Sequence, residues 1–160
     1  MSGYDFSIPS GGSAASTQVG DRSDQHARMW GRDIWLDVND GKHADVATTA
    51  AGDLALVTGR EALRQAIIRR ILTNPGEWAL LPEYGCGARL YIKERNTQAK
   101  RDELAERIRT QLQLEPRVLR VVQVVIEVLE DTEGISINVQ VDPRAKNRPD
   151  DFLAVVLQVR

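Results

Sequence analysis

Several things are scarce in this chain, and each scarcity closes a class of function. Cys86 is the only cysteine, so no disulfide can form within the chain and no multi-cysteine zinc site is available. That usage fits assembly in a reducing cytoplasm. Aromatic residues make up 5% of the sequence, so the core must be aliphatic and there is little to stack on exposed bases. The net charge of −2 supplies no electrostatic reason to expect nucleic acid or an anionic membrane as partner. No apolar run approaches the roughly 20 residues that span a bilayer. The N-terminus has neither a basic n-region nor an apolar h-region, so no cleaved signal peptide is expected.

What is present is ordinary for a globular protein: 42% apolar and 28% charged residues. A chain of this length fits one domain with an appendage and can bury roughly 70% of its unfolded surface. Residues 1–30 form the appendage. They are rich in Ser, Gly and Asp without a period, as in Ser10-Gly11-Gly12-Ser13. Such a segment is either a floppy tail or an arm that orders on a partner, with Tyr4, Phe6 and Ile8 as alternating anchors. Residues 31–160 then make up the folded domain.

Within that domain, Asp33–Val38 and Asp53–Val57 read as short strands, separated by the turn Asn39-Asp40-Gly41-Lys42. Thr58 stands three residues before Glu61, a capping-box pattern that opens a helix. Leu63, Ile67, Ile68, Ile71 and Leu72 recur at helical spacing, and Pro75-Gly76 stops the run. A second helix, capped by Asn96 or Thr97, carries Leu104, Ala105, Ile108 and Leu112 on one stripe. Glu103 and Arg107 have ion-pair spacing on its outer face, and Pro116 ends the helix near Leu114. The last third is β. Leu119–Glu130 is rich in Val, with Val122, Val124, Ile126 and Val128 expected on one face. Ile135, Ile137, Val139 and Val141 alternate with Ser136, Asn138 and Gln140, and Phe152–Val159 is the final strand. The expected fold is α+β, with two main helices on a small antiparallel sheet.

Catalytic chemistry finds little support. His26 and His43 both precede the helices and read as solvated loop residues. Cys86 lies between Gly85 and Gly87, with no histidine placed by the sequence to activate it. No pair of His, Cys or acidic residues has a recognised metal-ligand spacing, and no dinucleotide or phosphate loop is present, so no cofactor is expected. Glu77 and Glu83 are the carboxylates that a glycoside hydrolase would need. One helical residue stands out. Arg64 falls within the arc of Ile67, Ile68 and Ile71, so it either snorkels to the rim or forms a buried ion pair with Glu77, Glu83 or Glu115.

Two punctuated junctions remain. The first helix ends in Leu72-Thr73, then Pro75-Gly76-Glu77, then Pro82-Glu83-Tyr84-Gly85 and Leu90. The second ends in Glu115-Pro116-Arg117. In that order, with strands following, these tracts resemble the baseplate wedge or sheath-initiator family of contractile tails, also called the lysozyme-like baseplate family. That family recurs in phage tails, tailocins, extracellular injection systems and type VI secretion. The resemblance covers roughly residues 53–160. Gly76-Glu77-Trp78 departs from the family's usual Gly-Glu-Arg, and the N-terminal segment is longer than the minimal domain. The retained Pro-Gly-Glu leans toward phage and extracellular systems.

The resemblance implies a structural protein rather than an enzyme. Glu115, Pro116 and Arg117 would dock on the helical core bundle of the wedge. Pro75, Gly76, Glu77, Pro82, Tyr84 and Gly85 would shape the motif loop. An exposed sheet edge would accept a strand from the first ring of sheath subunits. Wedge proteins and sheath subunits are the implied partners, with tube or hub proteins as further candidates and six copies per baseplate. Neither nucleic acid nor membrane is implied. The chain would be assembled in the bacterial cytoplasm and carried in the baseplate of a tail or injection particle. The alternative is a peptidoglycan-hydrolysing tail enzyme.

Overall fold

A computed structural model of the chain describes residues 30–37, 45–92, 97–129, 134–145 and 149–159. The anchors Tyr4, Phe6 and Ile8, the turn at 39–42, and both histidines lie outside the described residues. Trp30, the last residue of the proposed arm, is buried.

The described chain enters through a short ribbon. Strand β1 (Arg32–Ile34) runs antiparallel to β4 (Leu56–Thr58), and β2 (Leu36–Asp37) runs antiparallel to β3 (Asp45–Val46). The single strand expected over 33–38 is therefore divided at Trp35. Its amide donates to the Ala55 carbonyl at 2.8 Å while its own carbonyl accepts from Ala47 at 2.9 Å, so the chain changes partner there. The second expected strand is shorter than its sequence pattern, because Leu54 makes only an isolated bridge to Thr48.

Helix α1 (Gly59–Leu72) buries Leu63, Ile67 and Ile71, as the spacing predicts. Thr58 is its N-cap residue, in extended geometry, yet its side chain makes no capping bond. Glu61 instead pairs with Arg64, so the capping box is absent although the helix begins where expected. Helix α2 (Ala88–Ile92) is a short element that the sequence did not announce. Helix α3 (Gln98–Gln113) is capped by Thr97, whose hydroxyl accepts from the Lys100 amide at 3.4 Å. It buries Leu104, Ile108 and Leu112. Glu103 finds Lys100 at 3.4 Å and the Tyr91 hydroxyl at 3.3 Å.

The C-terminal third forms an antiparallel meander in the order β5-β6-β7, with β5 Val118–Val128, β6 Ile135–Pro143 and β7 Leu153–Val159. Its register explains its stability. Ile135 stands opposite Val159, Ile137 opposite Leu157, Val139 opposite Val155, and Val141 opposite Leu153. All eight are buried beneath the helices. Each such aliphatic side chain contributes roughly 1.5–3 kcal/mol on burial. On the other face Gln140 stands opposite Ala154 and Asn138 opposite an exposed Val156, while Ser136, expected among the outward residues, is buried.

Strand β5 is less regular than its sequence implies. Register shifts fall between Val118 and Arg120 and between Val121 and Gln123. The second shift leaves Val122 as the extra residue, exposed, while Val124, Ile126 and Val128 follow in regular register with Val124 buried and Val128 exposed at the strand end. The expected common face of Val122, Val124, Ile126 and Val128 thereby loses Val122 and keeps the other three.

Candidate functional site

The two junctions meet at the end of α1. Pro75 disfavours helical geometry at the residue before it, and Thr73 is already extended. The chain then makes an excursion and comes back to the helix it left. The Cys86 amide donates to the Arg70 carbonyl at 2.9 Å, and the Gly87 amide donates to the Thr73 carbonyl at 2.9 Å. These are the carbonyls that a helix end leaves without partners. Gly85 is required by this approach. Its φ is +106°, and a Cβ there would stand 2.3 Å from the Thr73 carbonyl oxygen.

The excursion is closed on itself. The Gly76 amide donates to the Pro82 carbonyl at 2.8 Å, the Leu81 amide to Trp78 at 3.1 Å, and the Tyr84 amide to Leu81 at 2.9 Å. Glu77 accepts the Asn74 amide on its carboxylate at 2.8 Å, so it holds the start of the loop. Trp78 stacks on Tyr84 with centroids 5.3 Å apart and ring planes 19° apart. The Arg70 guanidinium lies over Tyr84, 4.4 Å from its centroid.

Arg70 also reaches the second junction. It donates to the Gln111 carbonyl at 3.2 Å and lies 3.7 Å from the Glu115 carboxylate. Gln111 clamps the loop from α3: its amide nitrogen donates to the Glu83 carbonyl at 2.8 Å, and its amide oxygen accepts the Gly85 amide at 3.2 Å. Glu115 is buried and takes a 2.6 Å bond from Nε of Arg117. Arg117 in turn donates to the Trp30 carbonyl at 3.0 Å, which fixes the entry of the domain. Burial pushes the Glu115 carboxyl up, but the Arg117 bond and charge, with Arg70 beyond, outweigh it and hold the group below its usual value. Nearby, Asp33 pairs with Arg69; burial again opposes ionisation there, and the Arg69 guanidinium overcomes it.

Arg64 takes no part. It pairs with Glu61 at 2.9 Å with its side chain 42% exposed, so of the two expected alternatives the rim position holds and the buried pair with Glu77, Glu83 or Glu115 is not made. The residue that fills this role is Arg70. Arg64 shares the arc of Ile71 but lies seven residues nearer the helix start, about 10 Å away along the axis. The returning loop and α3 cover only the far end. A helical wheel shows direction and not depth, so nothing in the spacing singled out Arg70 or Gln111. Arg60, also near the helix start, bonds Asp151 and the Phe152 carbonyl and ties α1 to β7.

The thiol of Cys86 is buried, and burial pushes its pKa up to about 12, which opposes formation of a nucleophilic thiolate. Among the described residues, no three His, Cys, Asp or Glu side chains gather where they could hold a metal ion. No helix among them is long and apolar enough to cross a membrane.

Fold and junctions together describe an α+β domain whose two motif tracts brace one shared corner. The sequence of residues 32–144 matches the model of the contractile injection system sheath initiators, and the chain belongs to that family. Solved structures share the fold, two of them as follows. One is a baseplate component of the anti-feeding prophage, 20% identical with a TM-score of 0.52, covering 85% of this chain and 90% of that one. The other is a candidate tail lysozyme from Geobacter sulfurreducens, 19% identical with a TM-score of 0.50, covering 72% of this chain and 94% of that one. No curated protein matches the chain.

Proposed function

We propose that this chain is a structural component of the baseplate of a contractile injection particle, where it joins the wedge to the first sheath ring and starts sheath assembly. Membership of the sheath-initiator family carries the reading. The meander supports it physically. Strand β5 pairs only with β6 among the described residues, which leaves its other edge open. A groove of about 430 Å³ lies beside it, lined by Gln98, Arg101 and Asp102 of α3 and by Val124, Val125 and Ile126 of β5. A strand from a sheath subunit would add along the regular segment after the second register shift, because bulges blunt the first half of the edge.

Docking to the wedge falls to Glu115-Pro116-Arg117. Glu115 and Arg117 pair with each other, and Pro116 stays exposed on the corner they brace. The charges thus hold the shape of the contact, while Pro116 and the outer edge of Arg117 meet the partner. Six copies per baseplate, and tube or hub proteins as additional neighbours, belong to the same proposal. Particles from a deletion strain should lack assembled sheath, and normally sheathed particles would refute the role. Arg117→Glu should abolish binding to purified wedge proteins.

The hydrolase alternative draws on the candidate tail lysozyme that shares the fold. Against it, the Glu77 carboxylate is engaged in holding its own loop. Clearing of a cell-wall suspension by the purified chain, lost on Glu77→Gln, would favour the hydrolase.

A further inference from the structure

The loop between α1 and α2 ends in a tip that the packing of this chain does not use. Leu80 is 92% exposed, and Leu81 and Trp78 are about half exposed beside it. Scattered surface leucines are common, but this group is contiguous and sits on a segment with its own backbone bonds. The tip is held from below by the Trp78–Tyr84–Arg70 stack and by Gln111. A partner would therefore meet an already ordered surface and lose little entropy in fixing it.

Charge selects among the occupants. The loop from Asn74 to Gly87 contains Glu77 and Glu83, both exposed, and neither lysine nor arginine. Two carboxylates flanking a Trp-Leu-Leu tip repel an anionic lipid surface, and they complement a protein surface that carries basic residues.

We propose that Trp78, Leu80 and Leu81 form a docking knob for a protein partner whose apolar pocket is rimmed by lysine or arginine. Leu80 enters the pocket, Trp78 and Leu81 seal it, and Glu83 faces the basic rim. This contact is distinct from the β5 edge and from residues 115–117. It rests on the baseplate reading only for the particle in which the partner is met.

The test uses the full chain in cells that produce the particle. A photo-crosslinking phenylalanine analogue replaces Leu80, and crosslinked peptides from purified particles are sequenced. The crosslinks should converge on one protein segment with lysine or arginine beside the attachment point. Leu80→Asp should lower the amount of chain in particles at least about tenfold, as for a central interface residue, with its melting temperature unchanged. Glu83→Lys should also lower it. The purified chain should not sediment with vesicles of phosphatidylglycerol and phosphatidylethanolamine. Crosslinks scattered over many proteins, incorporation of Leu80→Asp at the natural level, a gain on Glu83→Lys, or sedimentation with the vesicles would each overturn the knob. Chain carrying the analogue at position 80 that enters particles without crosslinking overturns the knob alone. Unsubstituted chain that never enters particles overturns both this proposal and the baseplate role.

Discussion

Replacing Arg70 with methionine separates the two arginines that compete for importance in α1. Methionine keeps much of the stem volume and removes the charge. Lost with the charge are the bond to the Gln111 carbonyl, the contact with the Tyr84 ring and a share of the Glu115 attraction. A hydrogen bond from a charged donor is worth roughly 1.5–3 kcal/mol, and a desolvated cation–ring contact about 1–2 kcal/mol. Two facts limit the sum. Glu115 keeps Arg117 at 2.6 Å, so its charge is not stranded. Nε of Arg70 is buried with no hydrogen-bond partner among the described residues, a penalty the substitution removes. The expected loss is about 2–4 kcal/mol. Arg64→Met removes only a half-exposed pair and should cost about 0.5 kcal/mol or less. Urea unfolding followed by circular dichroism measures both; for a chain of this size the Arg70 variant should melt roughly 4–16 °C lower. A loss below about 1 kcal/mol for Arg70→Met, or equal losses for the two, would refute the network as described.

Other perturbations probe the same corner. The depressed Glu115 carboxyl binds fewer protons in the folded state than in the unfolded one, so its contribution is present above the ordinary value of 4.5 and is lost as pH falls through the lower folded value. The natural chain should lose stability more steeply below that pH than Glu115→Gln; parallel curves would contradict the assignment. Gly85→Ala should cost about 2–4 kcal/mol by urea unfolding, since strain and collision with Thr73 combine. Gly76→Ala, with φ +80° but open space around it, should cost only about 1–2 kcal/mol, and an equal cost for both would remove the argument from close approach. Cys86 should resist a thiol-specific reagent at pH 8 until the chain is unfolded in urea; rapid labelling of the folded chain would place the thiol at the surface.

Periodic signals survived the passage from sequence to structure. Leu63, Ile67 and Ile71, the stripe Leu104, Ile108 and Leu112, and the alternation in β6 all report a direction relative to one local axis. Packing then follows that direction. Readings that needed two distant segments fared less well. Val122 faces out because of register shifts set by pairing with β6, and no local spacing announces a bulge. Trp35 divides a strand because two partners arrive from either side. The junction tracts were legible as motifs, whereas the residues that weld them together, Arg70 and Gln111, look like any helical arginine and glutamine until the loop has returned. The helical wheel points to Arg64 and passes over Arg70 because it lacks one fact, which end of α1 is covered.

That return has an evolutionary side. The excursion leaves α1 and rejoins it at the same end, and the Gly76–Pro82 bond closes a small ring within it. Residues 77–81 therefore change nothing about the distance between the elements they join. Closure entropy grows only slowly with loop length, so insertions there should be tolerated by the domain. The tip is in effect an exchangeable cassette, and a lineage could acquire a new neighbour by rewriting Ala79, Leu80 and Leu81 while Glu77 and Trp78 keep the corner beneath them as it is.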